Sequence, residues 1–382
     1  MTLCILTSSY PRSPEDSINA GVFVRDFALA VHREGREVMI FTHRKRGGFE
    51  SSEPFEVHHF DWAGDETSLT SIDLASPAGM RKTLSLIRRG TRDYLEVCRK
   101  RCVSRSLAMW AVPSGYFAMR AAARLGIPYS VWALGSDVWR YRRHRLGAPL
   151  LSRIFRGASS LFADGIELAE SVRGISGREC SFLPSSRDLS CFSPRPLDLE
   201  PGRMHVLFVG RYESNKGPDV LVEAALRYLE QGGRARFHLH GQGGMESDLR
   251  QVVSRAGRED SIFIRGVLDP QGVVDAMSAC DCLVVPSRVE SIPVICSDAF
   301  QMRLPMIVTD VGDMGSIVRD AGVGTVVPPG DPEAMCRALQ EMEGADRESM
   351  RQGMSDLSLR FRPEAAAREF LDKAFAGEVG NR

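Results

Sequence analysis

"CLVVPSRVESIPVICSDAFQMRLPMIVTDVG", residues 282–312, contains two short β-branched runs separated by one helical turn pattern. "CLVV" reads as a buried strand and "PMIVTD" as the next one. Pro293 starts a helix between them that runs to about Gln301. Two strands joined through one helix form the unit of a parallel sheet. The stretch also places two acids, Glu290 and Asp298, on either side of the helix start. Buried-looking acids are costly unless something polar meets them. The amides near Ser291, Ile292 and the first helical turn are donors without partners, at the positive end of the helix dipole. Such an N-terminus is a ready diphosphate site. Asp298, about a turn and a half further on, can accept hydrogen bonds from a diol such as a ribose. One exposed loop acid and one ordinary helix-face acid would give the same letters.

The pattern extends in both directions. "LCILTS" precedes an amphipathic helix in which Val24, Phe27, Ala28 and Val31 share a face, Gly35 ends it, and "REVMIFT" follows as a strand. "HVLFVG", "RFHLHG" and "SIFIRG" are further strands, with helical patterns at 218–231, 245–257, 270–279, 293–303 and 332–342. The alternation predicts an α/β fold with parallel sheets covered by helices on both faces. It lapses at "LPSSRDLSCFSPRPLDLEPG" (183–202), which is rich in Pro, Ser and Asp and reads as a linker. The expected domains are therefore residues 1–190 and 191–360. The helix-like "PEAAAREFLDKAFA" (363–376) lies in a tail, 361–382, with no strand of its own to cover, so it can pack back on the first domain. Residues 43–80 carry no clear pattern.

The chain has 382 residues with 43% hydrophobic and 26% charged, which suits two soluble globular domains. No apolar run approaches the roughly 20 residues needed to span a bilayer, and nothing resembles a signal peptide. Nine scattered cysteines without ligand spacing read as buried free thiols of a reducing cytoplasm, and no metal site is expected. The zero net charge hides an asymmetry: residues 1–200 hold 28 Lys/Arg against 22 Asp/Glu, and residues 81–156 hold 17 against 3. A local excess of that size attracts anions.

Two other loops carry candidate chemistry. In "FVGRYESNKGPDVLVEAA" (208–225), Gly210 allows a sharp turn at a strand's carboxyl end, and Arg211 and Lys216 lie in the loop before a helix opened by Pro218. Ligands of α/β proteins bind at such loops, and two cations suit a diphosphate, the Arg as a fork and the Lys as a movable point charge. A solvated loop fits the same residues. "HLHGQGG" (238–244) places Gly241 after a strand but gives no G-x-G-x-x-G fingerprint, which argues against NAD or FAD.

Together these pieces resemble the retaining glycosyltransferases of family 4 (glycosyl transferases group 1). "SSYPRSPEDSINAGVFVRDFALAVHREGREVMIFT" is similar to that family's N-terminal glycine loop and first helix, and "WALGSDVW" to a second N-domain motif. "VGRYESNKGPDVLVEAA", "LHGQGG", "FIRGVL" and the Glu290–Asp298 pair follow in the family's order. The resemblance implies the GT-B fold, two Rossmann-like domains facing a central cleft. The N-domain would take the acceptor and the C-domain a nucleotide-sugar such as a UDP- or GDP-sugar, with no cofactor. Arg211 and Lys216 would hold the donor diphosphate, Glu290 would contact the sugar and Asp298 the ribose. Ser291 and Ile292 would offer amides to phosphate, Gly266 and Val267 would frame the base, and Gly21 would let the N-domain loop approach the diphosphate.

Three positions depart from the family pattern. Asp298 stands where Glu is usual, Leu134 where many members carry a His, and Arg303 where Gly is common. The nearest polar acceptor-side candidates are then Ser136, Asp137 and Arg140. An Arg in the left-handed region costs roughly 1 kcal/mol or more, so a different helix end is expected at 303. Two rival readings are a GT-B epimerase, for which no acid/base pair is evident, and a non-catalytic nucleotide-sugar or nucleic-acid binder. The basic segment "VWRYRRHRLGAPLLSRIFR" (138–156), with "RKTLSLIRRGTRDYLEVCRKRCVSR" (81–105), suits the headgroup layer of an anionic membrane. Leu150, Ile154 and Phe155 could equally be core residues under a solvated arginine face, and a soluble anionic acceptor is a third reading. No nucleic-acid motif accompanies the charge. The expectation is a cytoplasmic enzyme, peripheral at the inner face of the membrane, acting on a glycan or lipid-linked acceptor in cell-surface glycan synthesis.

Overall fold

The computed structural model describes residues 2–13, 21–45, 52–64, 69, 72–73, 76–142 and 147–376. Most of the expected N-terminal glycine loop (14–20) and part of the basic segment (143–146) lie outside these. The chain forms two compact units, Met1–Pro184 with Pro363–Arg382, and Ser185–Arg362.

The first unit runs β1 (Thr2–Leu6), α1 (Val22–Arg33), β2 (Glu37–His43), β3 (Glu56–Phe60), α2 (Pro77–Lys100), β4 (Val103–Met109), α3 (Tyr116–Leu125), β5 (Tyr129–Ala133), α4 (Ser136–Arg142), α5 (Gly147–Gly157), β6 (Ser160–Ala163), α6 (Ile166–Ser176) and β7 (Ser181–Phe182). Its seven strands form one parallel sheet in the order β3-β2-β1-β4-β5-β6-β7. Every residue of β1 and β5 is buried, as the continuous apolar runs of a doubly covered parallel sheet require. β3 occupies the region that shows no pattern in the sequence. Its residues, EVHHF, offer little alternation because it is a half-exposed edge strand.

The second unit runs β8 (His205–Val209), α7 (Pro218–Glu230), β9 (Arg236–His240), α8 (Glu246–Arg255), β10 (Ile262–Arg265), α9 (Pro270–Ala279), β11 (Cys282–Val285), α10 (Val294–Met302), β12 (Met306–Thr309), α11 (Met314–Ala321), β13 (Gly324–Val327), α12 (Pro332–Gly344), α13 (Arg347–Gly353) and α14 (Ser355–Arg360). Six parallel strands pair in the order β10-β9-β8-β11-β12-β13. The expected α/β fold of two parallel-sheet units is what the chain adopts. The five expected helices of this unit appear within about two residues of their predicted ends. α11 and β13 are not evident from the sequence pattern, because the glycines at 312, 315, 322 and 324 punctuate short elements. Asp269 and Asp331 cap α9 and α12 by accepting from the amides of Gly272 (2.7 Å) and Ala334 (2.9 Å), each with Pro at the first helical position.

Residues 183–202 contain no helix or strand, yet they are not a loose tether. Arg195 grips Asp275 through Nε (2.9 Å) and Nη2 (2.7 Å), and its backbone N–H donates to the same carboxylate. The boundary between the units consequently falls after Pro184, earlier than the composition suggests. The final helix, α15 (Pro363–Ala374), belongs to the first unit, where Phe370 meets Phe27 and Phe162 with ring centroids 5.7 and 5.5 Å apart. Arg33 and Glu364 form an ion pair beside them at 3.0 Å.

Phe370 is fully buried at this seam. Phe370→Ala is expected to destabilise the first unit by about 3–5 kcal/mol, the usual cost of emptying an aromatic core site. Urea unfolding should show an earlier transition in the variant. An unshifted midpoint would mean that α15 contributes nothing to the fold.

Candidate active site

In an open parallel sheet, a crevice opens where the strand order reverses. In the second unit the reversal lies between β8 and β11, because β8 leads to β9 on one side while β11 leads to β12 on the other. The loops leaving these two strands carry the residues singled out in the sequence.

Glycine backbone holds the loops together. Gly217, at φ 67°, lies so close to β11's loop that a Cβ there would come 2.0 Å from the Pro286 carbonyl oxygen. Gly312, at φ 53°, is pressed on the same loop from β12, with a Cβ falling 2.4 Å from the Glu290 carbonyl oxygen and 2.6 Å from that of Ser291. Any side chain would separate these loops. Arg288 adds a polar clamp. Its guanidinium forks the Asp219 carboxylate at 2.9 and 2.6 Å and donates to the Ser214 carbonyl at 2.6 Å, while its N–H donates to the Asn215 carbonyl at 2.8 Å. Burial alone would raise the Asp219 carboxyl, but Arg288 holds it below the usual carboxylate range. Sequence reasoning missed Arg288, since a bidentate partner on a facing loop is invisible in one sequence.

Lys216 and Glu290 are brought together across this seam. Their side chains form a hydrogen-bonded ion pair, each about one-fifth exposed. Ser291 is buried beside Glu290, and its hydroxyl has no hydrogen-bond partner among the described residues. α10 begins two residues later with Pro293 at its N-cap and no side-chain cap, so the first-turn amides are not spent on a capping group. Ile292 is buried. Arg211, by contrast, stands at the exposed mouth of the β8 loop, paired with Glu213 at 2.8 Å. Gly210 and Gly241 pack against each other where the β8 and β9 loops meet. Gly266 and Val267 are exposed beyond β10.

Asp298, the acid expected at a ribose, lies inside α10 with its carboxylate already paired. Its side chain has 0% exposure, and both oxygens are taken by Arg187, which is itself 14% exposed. Burial pushes the Asp298 carboxyl upward and the guanidinium pulls it back. The segment carrying Arg187 is fastened to α10: Ser297 Oγ donates to the Ser185 carbonyl at 2.8 Å, and Gln301 Nε2 donates to that of Arg187 at 2.9 Å. Sequence reasoning missed Arg187 because it sits in what reads as linker.

In the first unit, Gly21 starts α1 so tightly that a Cβ would collide with the Ser9 backbone at 2.6 Å. Asp137 is buried, with its carboxylate accepting from the backbone N–H groups of Ala111 and Leu134 (3.3 Å for the latter). It braces the loop after β4, and Ser136 is its neighbour at the start of α4. Arg140, half-buried, donates to the Ile72 carbonyl at 3.4 Å. Leu151, Ile154 and Phe155 are core residues of α5, so that part of the basic segment faces inward.

Residues 203–343 match the family description "Glycosyl transferases group 1". The alpha-D-kanosaminyltransferase of Streptomyces kanamyceticus is 28% identical over 151 residues, 40% of this chain and 39% of that protein. The D-inositol 3-phosphate glycosyltransferase of Pseudarthrobacter chlorophenolicus is 26% identical over 337 residues, 82% and 79% of the two chains. The chain thus spans well under half of the first relative and about four-fifths of the second. Among solved structures, Anabaena Alr3699/HepE in complex with UDP-glucose superposes with a TM-score of 0.72 at 13% identity, covering 98% of this chain and 100% of that one.

The end of α10 corrects an expectation. Arg303 does adopt the left-handed conformation, φ 53° and ψ 41°, and closes the helix with Leu304 N–H donating to the Ala299 carbonyl at 2.9 Å. The cap geometry is retained and the strain accepted. Arg303→Gly is expected to raise stability by about 1 kcal/mol, offset in part by the entropy of the unfolded glycine. Thermal unfolding should show a higher midpoint for the variant. A lower one would show that the arginine side chain stabilises the native state by more than its backbone costs.

Proposed function

We propose that this chain, which belongs to the glycosyl transferases group 1, moves a sugar from a nucleotide-sugar donor to an acceptor hydroxyl with retention of anomeric configuration, as in family 4. The observation that carries the reading is the Lys216–Glu290 pair at the switch point of the second sheet, beside the partnerless Ser291 hydroxyl and the uncapped start of α10. A diphosphate leaving from a sugar needs cations and N–H donors fixed in advance where its charge develops. Lys216, Arg211 and the α10 amides supply them, so we assign no metal or other cofactor. Glu290 is left facing the sugar. Anabaena Alr3699/HepE, which shares the fold, is in complex with UDP-glucose, and this supports a donor of the same class, a UDP- or GDP-sugar. The first unit takes the acceptor, with Ser136 and Arg140 as its polar candidates.

The finer reading concerns where the enzyme works. No described helix is long and apolar enough to cross a membrane, and the nine cysteines are free thiols, which suits a reducing cytoplasm. α2 buries Leu86, Gly90, Tyr94, Val97 and Cys98 but leaves Met80 and Leu84 exposed, 54% and 56%, among the exposed Arg81, Arg88 and Arg89. Apolar side chains at i and i+4 flanked by arginines suit an anionic lipid surface, each base contributing roughly 1 kcal/mol near it. We assign the enzyme to the inner face of the membrane, acting on a lipid-linked or glycan acceptor.

Both readings are testable. A screen of nucleotide-sugars for thermal stabilisation identifies the donor, since a ligand bound only by the native state raises its stability. With that donor, Lys216→Ala and Glu290→Gln are expected to lower turnover by a factor of about 10 to 1,000 while the fold persists. The anomeric configuration of the product, read by NMR, decides retention. Normal turnover in both variants would remove the assignment.

For the surface, co-sedimentation with anionic vesicles and not with neutral ones is expected, weakening as salt rises. Met80→Asp with Leu84→Asp should abolish it. Equal partition to both vesicle types, or to neither, would refute membrane docking.

A further inference from the structure

Arg288 ties the loop that carries Glu290 to both sides of Lys216. Ser214–Lys216 forms a single 3-10 turn closed by Gly217, and α7 starts at Pro218. The Arg288 backbone N–H donates to the Asn215 carbonyl at 2.8 Å, and Nη1 donates to the Ser214 carbonyl at 2.6 Å. These bonds hold the turn on the near side of the lysine. On its far side, Nη1 and Nη2 fork the Asp219 carboxylate, in the first turn of α7, at 2.9 and 2.6 Å. One residue therefore spans the lysine from 214 to 219. It stands two positions before Glu290. Val289 between them is 59% exposed, so the loop presents its valine to solvent while the residues on either side bond to the β8 loop. The glycine contacts set how near the two backbones lie. The clamp fixes the turn at three further points, and with them the direction in which Lys216 leaves it.

We propose that Arg288, with Asp219, is a positioning residue for the transfer: it aims Lys216 at the diphosphate and keeps Glu290 in register with it. The inference rests on the proposed function and deepens its account of that site. The two side chains are 32% and 38% exposed, and ion pairs open to that much solvent add little to stability. The effect of the clamp therefore falls on geometry and not on the fold. Charge on the leaving diphosphate grows toward the transition state, so a misaimed ammonium costs more there than when the donor binds. A lysine at 288 would keep the charge, but it cannot fork a carboxylate and reach a carbonyl at once.

The experiment measures release of nucleoside diphosphate by the full chain from a panel of UDP- and GDP-sugars, with water as the acceptor. Arg288→Ala is expected to lower kcat by about tenfold to a hundredfold while the donor KM stays within about threefold of wild type. The thermal midpoint should change little. Arg288→Lys should lose nearly as much turnover as Arg288→Ala. In a Lys216→Ala background, Arg288→Ala should cost less than about twofold, because the residue it aims is gone. Should Arg288→Ala fail to fold, Asp219→Ala makes the same test with the two carbonyl contacts intact: a loss of about threefold or more that likewise disappears without Lys216. The inference is overturned if Arg288→Ala turns over like the wild type, if Arg288→Lys restores turnover, or if KM rises as much as kcat falls. It is equally overturned if the loss from either clamp variant simply multiplies with that from Lys216→Ala. A wild-type chain that binds and cleaves none of the panel would overturn the proposed function itself, and this inference with it.

Discussion

The close approach of loop backbones at the carboxyl edge of the second sheet sets the rest of the site. Gly217 lies against the Pro286 carbonyl and Gly312 against those of Glu290 and Ser291, at separations that exclude any Cβ. Because these loops touch, a lysine leaving one strand meets a glutamate leaving another, and α10 starts between them. The two parallel strands supply direction, since all their carboxyl ends point the same way. The glycines supply proximity. Neither alone would place Lys216 and Glu290 within a hydrogen bond of one another.

Much of this is legible in sequence for a physical reason. Buried parallel strands must be continuously apolar, so "CLVV" and "HVLFV" announce themselves, and Pro at the first turn marks where α7, α9 and α12 begin. The loops between carry polar letters that serve neither a core nor a turn, and Arg211, Lys216 and Glu290 stand out for that reason. What is not legible depends on partners distant in sequence. Arg288 and Asp219 are 69 positions apart and Arg187 and Asp298 are 111 apart. No local pattern reports such a pair, and the loop character of 183–202 conceals that it is structural and fastened to α10.

At two places the fold decides between readings that the local letters leave open or argue against. Leu151, Ile154 and Phe155 lie in the core of the first unit, because a helix covering a sheet needs an apolar face whatever the charge of its outer side. On α2 the exposed Met80 and Leu84 lie beside arginines while Leu86, Gly90 and Tyr94 form the inner face, and in the basic segment Trp139 is also exposed, next to Arg140. Arg303 shows the converse. Local propensity argues against a left-handed arginine, but the turn from α10 into β12 requires that geometry, and the helix end adopts it.

The charges singled out around the switch point are paired within the protein. Lys216 holds Glu290, Arg211 holds Glu213, Arg288 holds Asp219 and Arg187 holds Asp298. The pairs differ in what a ligand could exchange. Arg211–Glu213 is exposed, so water screens it and an incoming phosphate displaces it at little cost. Lys216–Glu290 is about four-fifths covered, so releasing the lysine to a diphosphate leaves a carboxylate that must find a new donor, such as a sugar hydroxyl. Binding the diphosphate without the sugar forfeits that second contact. On the proposed function, the pairing favours the whole nucleotide-sugar over the nucleoside diphosphate left after transfer, a difference that would ease product release. Arg187–Asp298 is the least exchangeable because its acid has no access to solvent. The pairs thus grade from an exposed outer one, through one about four-fifths covered, to an inner one whose acid is wholly buried.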